Sequence, residues 1–417
     1  MASERHAGVT VRIAIIGAGF SGIGLGIRLR RAERAARGTA TSTAGWESFT
    51  IFDKADGVGG TWRDNTYPGA ACDTPSMHYC FSFARKVDWS RKWAPQPEIL
   101  DYLERCVDEH GLRSHLRLQT EIESARFDEE RGVWVLRTKG GGTHEAEVLV
   151  SGVGQLGRPY VPDIPGLGDF EGPCFHSARW DHDVELRGKR VAVIGNAASA
   201  VQLVPPVAER ARELLVFQRS ANWMLRQNNR RYTELEKTLF RRVPGVARLV
   251  RWGIWLQHEL RFPVFRQRPL MSRWARQQAF DYLQEDVREP WLREALVPDY
   301  PIGGKRVLLS DEYYRTLERD DVRVITTGIE RVERDAVHTK DGERHPVDVI
   351  VLATGFRASE LLAPMRIEGR GGRSLNDAWR DGAEAYLGMT VSGFPNLFIM
   401  YGPNTNLGHN SILFMIE

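Results

Sequence analysis

Two short glycine turns carry the strongest chemical signal in this chain. Gly17, Gly19 and Gly22 follow the apolar, β-branched run VRIAII and open a stretch of helical period. In that strand, turn and helix context a GxGxxG spacing holds a dinucleotide. The first glycine permits the turn, the second lets a pyrophosphate reach the backbone, and the third lets the helix pack closely with its N-terminus facing the anion. Asp53 ends the next strand-like run, SFTIFD, where a carboxylate accepts from ribose hydroxyls; the alternative is a solvated turn residue. The interval from Gly22 to Asp53 exceeds the usual ~20 residues, and the Ala/Thr/Ser-rich stretch 35–44 accounts for it as a loop insertion.

A second turn, Gly195-Asn-Ala-Ala-Ser199-Ala200, follows RVAVI in the same way. Where the first unit has an acid, this one reads Phe217-Gln-Arg219-Ser220. A guanidinium and a hydroxyl suit a 2′-phosphate that a carboxylate would repel, which predicts NADPH over NADH. An arginine on a solvated surface is the alternative. Ala197 and Ala200 replace the second and third glycines. The fingerprint permits the latter, whereas the added methyl at Ala197 can crowd the pyrophosphate.

Placing two such turns requires two α/β units, and 417 residues exceed what one hydrophobic core usually organises. The expected fold class is α/β, with two dinucleotide-binding, Rossmann-like domains. The strand-like runs VWVLRT and AEVLVSG lie between the turns, and the Pro/Gly-rich stretch 157–172 reads as the crossing between domains. VDVIVLATG at 347–355 and the later GFPNLFIMYG read as strands returning to the first domain. The first domain is thus assigned residues 1–165 and 345–417, and the second 166–344 with a helical insertion at about 223–300. Within the insertion, VARLVRWGIWLQHEL is apolar but interrupted by Arg248 and Arg251; packing on the protein's own core is favoured over a membrane surface.

Composition narrows the class. A hydrophobic share of 42% with 27% charged residues is that of an ordinary globular protein. A net charge of +3 is too slight to argue for nucleic acid, although it suits a protein holding two anionic dinucleotides. Cys72, Cys80, Cys106 and Cys174 have neither CxxC nor zinc-ligand spacing, so free thiols in a reducing compartment are expected and no metal site is. No apolar stretch reaches the ~18 residues of a membrane span and no signal pattern opens the chain. The expectation is a cytoplasmic protein without an integral membrane segment.

Phe170-Glu-Gly172-Pro-Cys-Phe-His176-Ser-Ala-Arg-Trp180-Asp181 matches FxGxxxHxxxW[PD] at every fixed position. Gly59-Gly60-Thr61-Trp62, Tyr67-Pro68-Gly69 and Asp73 form a second recognisable set, and Gly303-Gly304-Lys305-Arg306 with Tyr313-Tyr314 a third. From about residue 11 to the end the chain resembles the Baeyer-Villiger monooxygenases, most closely the hydroxyacetophenone and cyclohexanone monooxygenase branches. The resemblance implies FAD in the first domain, NADPH in the second, and insertion of one oxygen atom of dioxygen beside a ketone carbonyl by way of a flavin peroxide, giving an ester or lactone. It implies that Arg306 stabilises the peroxide and that Asp73 pairs with and orients Arg306. Lys305 would help hold the 2′-phosphate, and Gly60, Thr61, Trp62 and Tyr79 would line the flavin. His176 and Trp180 look like acid–base groups, but the resemblance ties their motif to movement between domains. Family members usually continue well past the position of Glu417, through a helix and further pocket segments. Two other readings stay open: a flavin monooxygenase that oxidises nitrogen or sulfur, and a non-catalytic flavin-binding protein. A disulfide reductase would need a dithiol pair that the cysteine spacing does not offer.

Overall fold

The structure, a computed structural model, describes residues 9–36 and 48–417. Most of the insertion expected at 35–44 lies outside the described residues. The first apolar run becomes the strand Val9–Ile16, flanked on both sides by parallel neighbours, Phe49–Phe52 and Thr143–Ser151. Its residues Ile13, Ala14, Ile15 and Ile16 are all buried, because a central parallel strand has helices or loops on both faces and no polar side to show water. The helix Phe20–Ala36 follows the glycine turn directly.

Among the described residues eight strands make the first sheet. From one edge they run Arg366–Glu368, Ile122–Asp128, Val133–Thr138, Thr143–Ser151, Val9–Ile16, Phe49–Phe52 and Leu116–Arg117, with Leu397–Ile399 beside the end of Thr143–Ser151. The strands between 122 and 151 are antiparallel and the rest of the sheet is parallel. VWVLRT is thus the middle strand of a meander. The second sheet, in the order Val322–Ile325, Glu213–Phe217, Arg190–Ile194, Val349–Leu352 and Cys174–His176, is parallel throughout. The chain therefore has an α/β fold with two Rossmann-like sheets.

One expected strand changes domain. The segment 347–355, assigned to the first unit from sequence, places Val349–Leu352 between Arg190–Ile194 and Cys174–His176 of the second sheet. The strand Arg344–Pro346 before it also belongs to the second unit, in a small antiparallel sheet with Ala336–Thr339. A strand buried on both faces reads the same whichever parallel sheet receives it, so apolar pattern alone cannot assign it. The last strand, Leu397–Ile399, does join the first sheet.

The chain therefore crosses between units at about 152–163 and again at about 353–360, and the two crossings pair with each other. Tyr160 N donates to Gly355 O (2.8 Å), Arg357 N to Arg158 O (2.9 Å), and Thr354 Oγ1 to Tyr160 O (2.5 Å). The expected crossing 157–172 ends early, because Ile164, Leu167 and Phe170 already pack on the second core.

The helical insertion straps both units. Ala247, Val250 and Ile254 of the helix Val246–Glu259 pack on the first core, and Arg251 Nη1 donates to the carbonyls of Cys80 (2.7 Å) and His78 (3.1 Å). Tyr282 and Leu283 of Pro269–Asp286, with Leu292 of Pro290–Ala295, pack on the second. Among the described residues no helix is long and apolar enough to cross a membrane.

Candidate active site

The two glycine turns are built alike. Gly17 and Gly195 have φ of 107° and 111°, a region that L side chains avoid. Gly17 N donates to Phe52 O (2.7 Å) and Gly195 N to Phe217 O (2.9 Å), tying each turn to the end of the neighbouring strand. A Cβ at Gly17 would lie 2.5 Å from Gly152 O, and one at Gly195 would lie 2.4 Å from Ala353 O. Each turn is thus pinned between two strand ends, which leaves the N-terminus of the following helix facing the space an anion would fill.

In the first turn the helix sits close: a Cβ at Gly22 would be 1.9 Å from Gly17 O. Gly19 and Gly60 bring two backbones together, a Cβ at Gly60 lying 3.2 Å from Gly19 Cα. Asp53 does more than end a strand. Its Oδ2 accepts from Ala18 N (2.6 Å) and its Oδ1 from Ala55 N (2.8 Å), so the carboxylate braces the turn while it borders a cavity of about 420 Å³. Gly17, Gly60 and Thr61 line the same cavity. Beyond Thr61, Trp62 Nε1 donates to Tyr79 OH (3.1 Å) and the two rings meet edge to face. Burial keeps the Tyr79 phenol well above its ordinary pKa, hence neutral.

The second turn differs at its alanines. Ala200 is fully buried, whereas Ala197 is exposed with φ −83°, an unstrained conformation for any side chain. Asn196, unremarked in the sequence reading, donates from Nδ2 to Ser220 O (2.7 Å) and Gln218 Oε1 (3.2 Å), holding the 218–220 segment against the turn. Lys305 Nζ lies 3.5 Å from Ser220 Oγ. Tertiary structure therefore brings Lys305 to Ser220, the residue after Arg219, from 85 positions away. Arg219 is exposed and has no acidic partner among the described residues. Ser199 hydrogen-bonds Tyr67, whose hydroxyl donates to Gln202 Oε1 (2.8 Å), while Gln202 Nε2 donates to Ala71 O (2.9 Å). The Tyr67-Pro68-Gly69 segment is thus a docking surface for the second-unit helix Ala198–Ala208.

Arg306 and Asp73 meet across the units, with Nη2 2.6 Å from Oδ2. Asp73 raises the guanidinium's already high pKa, so the cation is permanent. The Arg306 side chain is still 59% exposed and therefore available to a ligand. Both residues line a second cavity of about 500 Å³, walled by Trp93 of the first unit and by Ile254, His258 and Tyr282 of the insertion. Sequence reading missed the histidines His258 and His409 in its lining, and His78 edge-on to His258. His78 Nε2 lies 2.9 Å from Asn410 Oδ1, Asn410 Nδ2 donates to Glu259 Oε1 (2.6 Å), and His409 Nε2 is 3.4 Å from the same oxygen. Burial, with Arg261, His78 and His409 nearby, lowers the His258 pKa to about 4. The available signal was the His409-Asn410 pair in Gly408-His-Asn-Ser411.

His176 and Trp180 stand apart from both cavities. His176 is buried at the end of Cys174–His176, with Nδ1 accepting from Ala178 N (3.0 Å) and its ring edge-on to Phe356 of the second crossing. Burial lowers its pKa, so it is neutral near pH 7. Trp180 packs edge-on against Phe175. The motif sits beneath the paired crossings, not beside Arg306.

The model of flavin-binding monooxygenase-like proteins matches residues 10–248. A Baeyer-Villiger monooxygenase of Pseudomonas aeruginosa is 42% identical over the whole chain, which spans 76% of that relative's length. A phenazine N-monooxygenase of Lysobacter antibioticus is 34% identical over 94% of the chain and 78% of its own length. Among solved structures, cyclohexanone monooxygenase from Rhodococcus sp. Phi1 bound to NADP+ superposes with a TM-score of 0.85 at 30% identity, covering 98% of this chain and 82% of that one. With two matching dinucleotide turns and an arginine–aspartate pair between them, the chain belongs to the Baeyer-Villiger monooxygenases of the flavin-binding monooxygenase-like family.

Proposed function

We propose that this chain uses FAD, NADPH and dioxygen to insert one oxygen atom beside a ketone carbonyl, giving an ester or lactone. The balance is ketone, dioxygen, NADPH and a proton to ester, water and NADP+. The observation that carries this reading is the Arg306–Asp73 pair, a fixed cation in a cavity lined from both units.

The residues present fit FAD: the Gly17–Gly22 turn leaves room only for backbone, and the cavity beside Asp53, Gly60 and Thr61 accepts the nucleotide half. The chemistry supplied by bound FAD is acceptance of hydride from NADPH and activation of dioxygen. The chain's own residues do the rest. Asp53 accepts from ribose hydroxyls with the lone pairs its backbone donors leave free. Trp62 and Tyr79 form a neutral wall toward the flavin. Ser199 and Gly195 face the NADPH pyrophosphate, and Arg219, Ser220 and Lys305 grip its 2′-phosphate. Arg306 places positive charge where negative charge develops on the transferred oxygen, and Asp73 holds it in one orientation. The apolar walls limit water near that charge. His176 and Trp180 support the paired crossings and act on the relative placement of the two units. The four cysteines are free, three of them buried, in keeping with a reducing, cytoplasmic setting.

Oxygen transfer to an amine or thioether is the second reading, favoured by the similarity to a phenazine N-monooxygenase. Product analysis separates the two. The FAD-loaded chain with NADPH, labelled dioxygen and a panel of ketones, amines and thioethers is expected to yield ester carrying one labelled oxygen. Sulfoxide or hydroxylamine without ester refutes the ketone assignment.

A further inference from the structure

We propose that the outer face of the helical insertion docks on an anionic phospholipid surface, with the rim of the 500 Å³ cavity at the contact. The inner face of Val246–Glu259 packs on the first core, but Leu249 and Trp252 on its outer face are 69% and 57% exposed. The neighbouring helix Glu234–Arg242 packs beside it across a three-residue turn and exposes Leu235. Leu260 follows directly, and Leu270 and Trp274 on the next long helix are exposed as well. Scattered apolar residues are normal on a protein surface, but a run of large ones along consecutive helices marks an interaction site.

Charge identifies the partner. Residues 241–276 contain nine arginines and one acid, Glu259, in a chain whose net charge is only +3. Arg241, Arg242, Arg248, Arg268 and Arg273 are exposed; Arg241 interacts with Glu234, and the other four have no acidic partner among the described residues. Tryptophan and leucine alternating with unneutralised arginine is the pattern of helices that lie in the headgroup region, with apolar side chains reaching the acyl boundary. A second copy of the chain would set one arginine-rich face against another and repel. A nucleic acid would neutralise the arginines but leave Leu249, Leu260 and Leu270 uncovered.

The cavity shares these elements. Ile254, Gln257 and His258 of the same helix line it, and Trp274 is both exposed and part of its wall. A ketone dissolved in the bilayer would then enter without crossing bulk water. That consequence rests on the ketone reading; the docking does not.

The test is sedimentation of the FAD-loaded full chain with vesicles of phosphatidylcholine alone or containing about one-third phosphatidylglycerol, at low and raised salt. Binding to the mixed vesicles is expected, with little to the neutral ones. Arg248→Ser should weaken partition about fivefold, and Trp252→Ser or Leu249→Ser about tenfold. All three side chains point outward, so FAD content and melting temperature should match the parent and show that the fold is intact. The proposal is overturned if the parent stays in the supernatant with mixed vesicles, or if the apolar substitutions leave binding unchanged. Dimers in solution that those same substitutions abolish, without vesicle binding, would assign the face to a second copy instead.

Discussion

If Arg219, Ser220 and Lys305 grip the 2′-phosphate, removing either cation should weaken NADPH and leave NADH alone. Arg219 has no acidic partner among the described residues, so a phosphate arriving there breaks no existing ion pair. A hydrogen bond to a charged group contributes about 1.5–3 kcal/mol. Because both cations are exposed and screened, the lower part of that range applies, about 1.5–2 kcal/mol, or a 10- to 30-fold rise in Kd. Lys305→Ala should cost a similar amount, since its ammonium lies 3.5 Å from Ser220 Oγ. The double substitution should bring NADPH down toward the affinity of NADH and abolish the preference. The assay is anaerobic stopped-flow reduction of the bound flavin over a range of NADPH and NADH concentrations, which separates the Kd from the hydride-transfer rate. Equal weakening of both nucleotides, or an unchanged preference, refutes the assignment.

Arg306→Ala should leave FAD bound and NADPH able to reduce it, yet lower ester formation by about 10²–10³-fold with electrons diverted to hydrogen peroxide; unchanged coupling between NADPH use and ester would remove Arg306 from the chemistry. Asp73→Asn keeps the hydrogen bond and loses the charge, so its ester yield should fall between that of Arg306→Ala and the parent. Gly17→Ala and Gly195→Ala separate the two cradles: each places a Cβ about 2.5 Å from a strand-end carbonyl at positive φ. The first should release FAD, while the second should keep FAD and lose reduction by NADPH; absorbance of the purified proteins and flavin reduction read both. His258 titrates near pH 4 when folded because it is buried, against about 6.5 when unfolded. The unfolded chain therefore takes up the proton first, so stability falls as pH drops from about 6.5 to 4, by at most about 3 kcal/mol from this residue. Chemical denaturation across that range should show the slope in the parent and a shallower one in His258→Gln; equal slopes would place the effect elsewhere.

Local pattern was enough for both glycine turns. A strand, a turn and a helix lie within one short stretch, and the requirement for positive φ at Gly17 and Gly195 is a property of backbone and Cβ sterics that neighbouring residues express directly. The same holds for the strand VWVLRT and for the α/β class, which follow from the order of apolar runs. The FxGxxxHxxxW[PD] motif was legible as a pattern, and the resemblance tied it to the connection between domains, but its packing partner was not legible, because the ring of His176 meets Phe356, which is remote in sequence.

What only the tertiary structure decided was partnership. Val349–Leu352 is equally suited to either parallel sheet, and only its register with Arg190–Ile194 assigns it to the second. The pairing of Lys305 with Ser220 joins residues 85 apart in sequence, and the Arg306–Asp73 pair, which the resemblance implied, gets its 2.6 Å contact from the packing of the two units. The histidine cluster needs segments near 78, 258 and 409 to converge, and each histidine alone reads as an ordinary surface or core residue. Sequence determined the backbone shapes that local sterics and apolar period dictate. The tertiary structure decided which distant side chains share a cavity, because that depends on how two independently patterned sheets and a helical strap pack together.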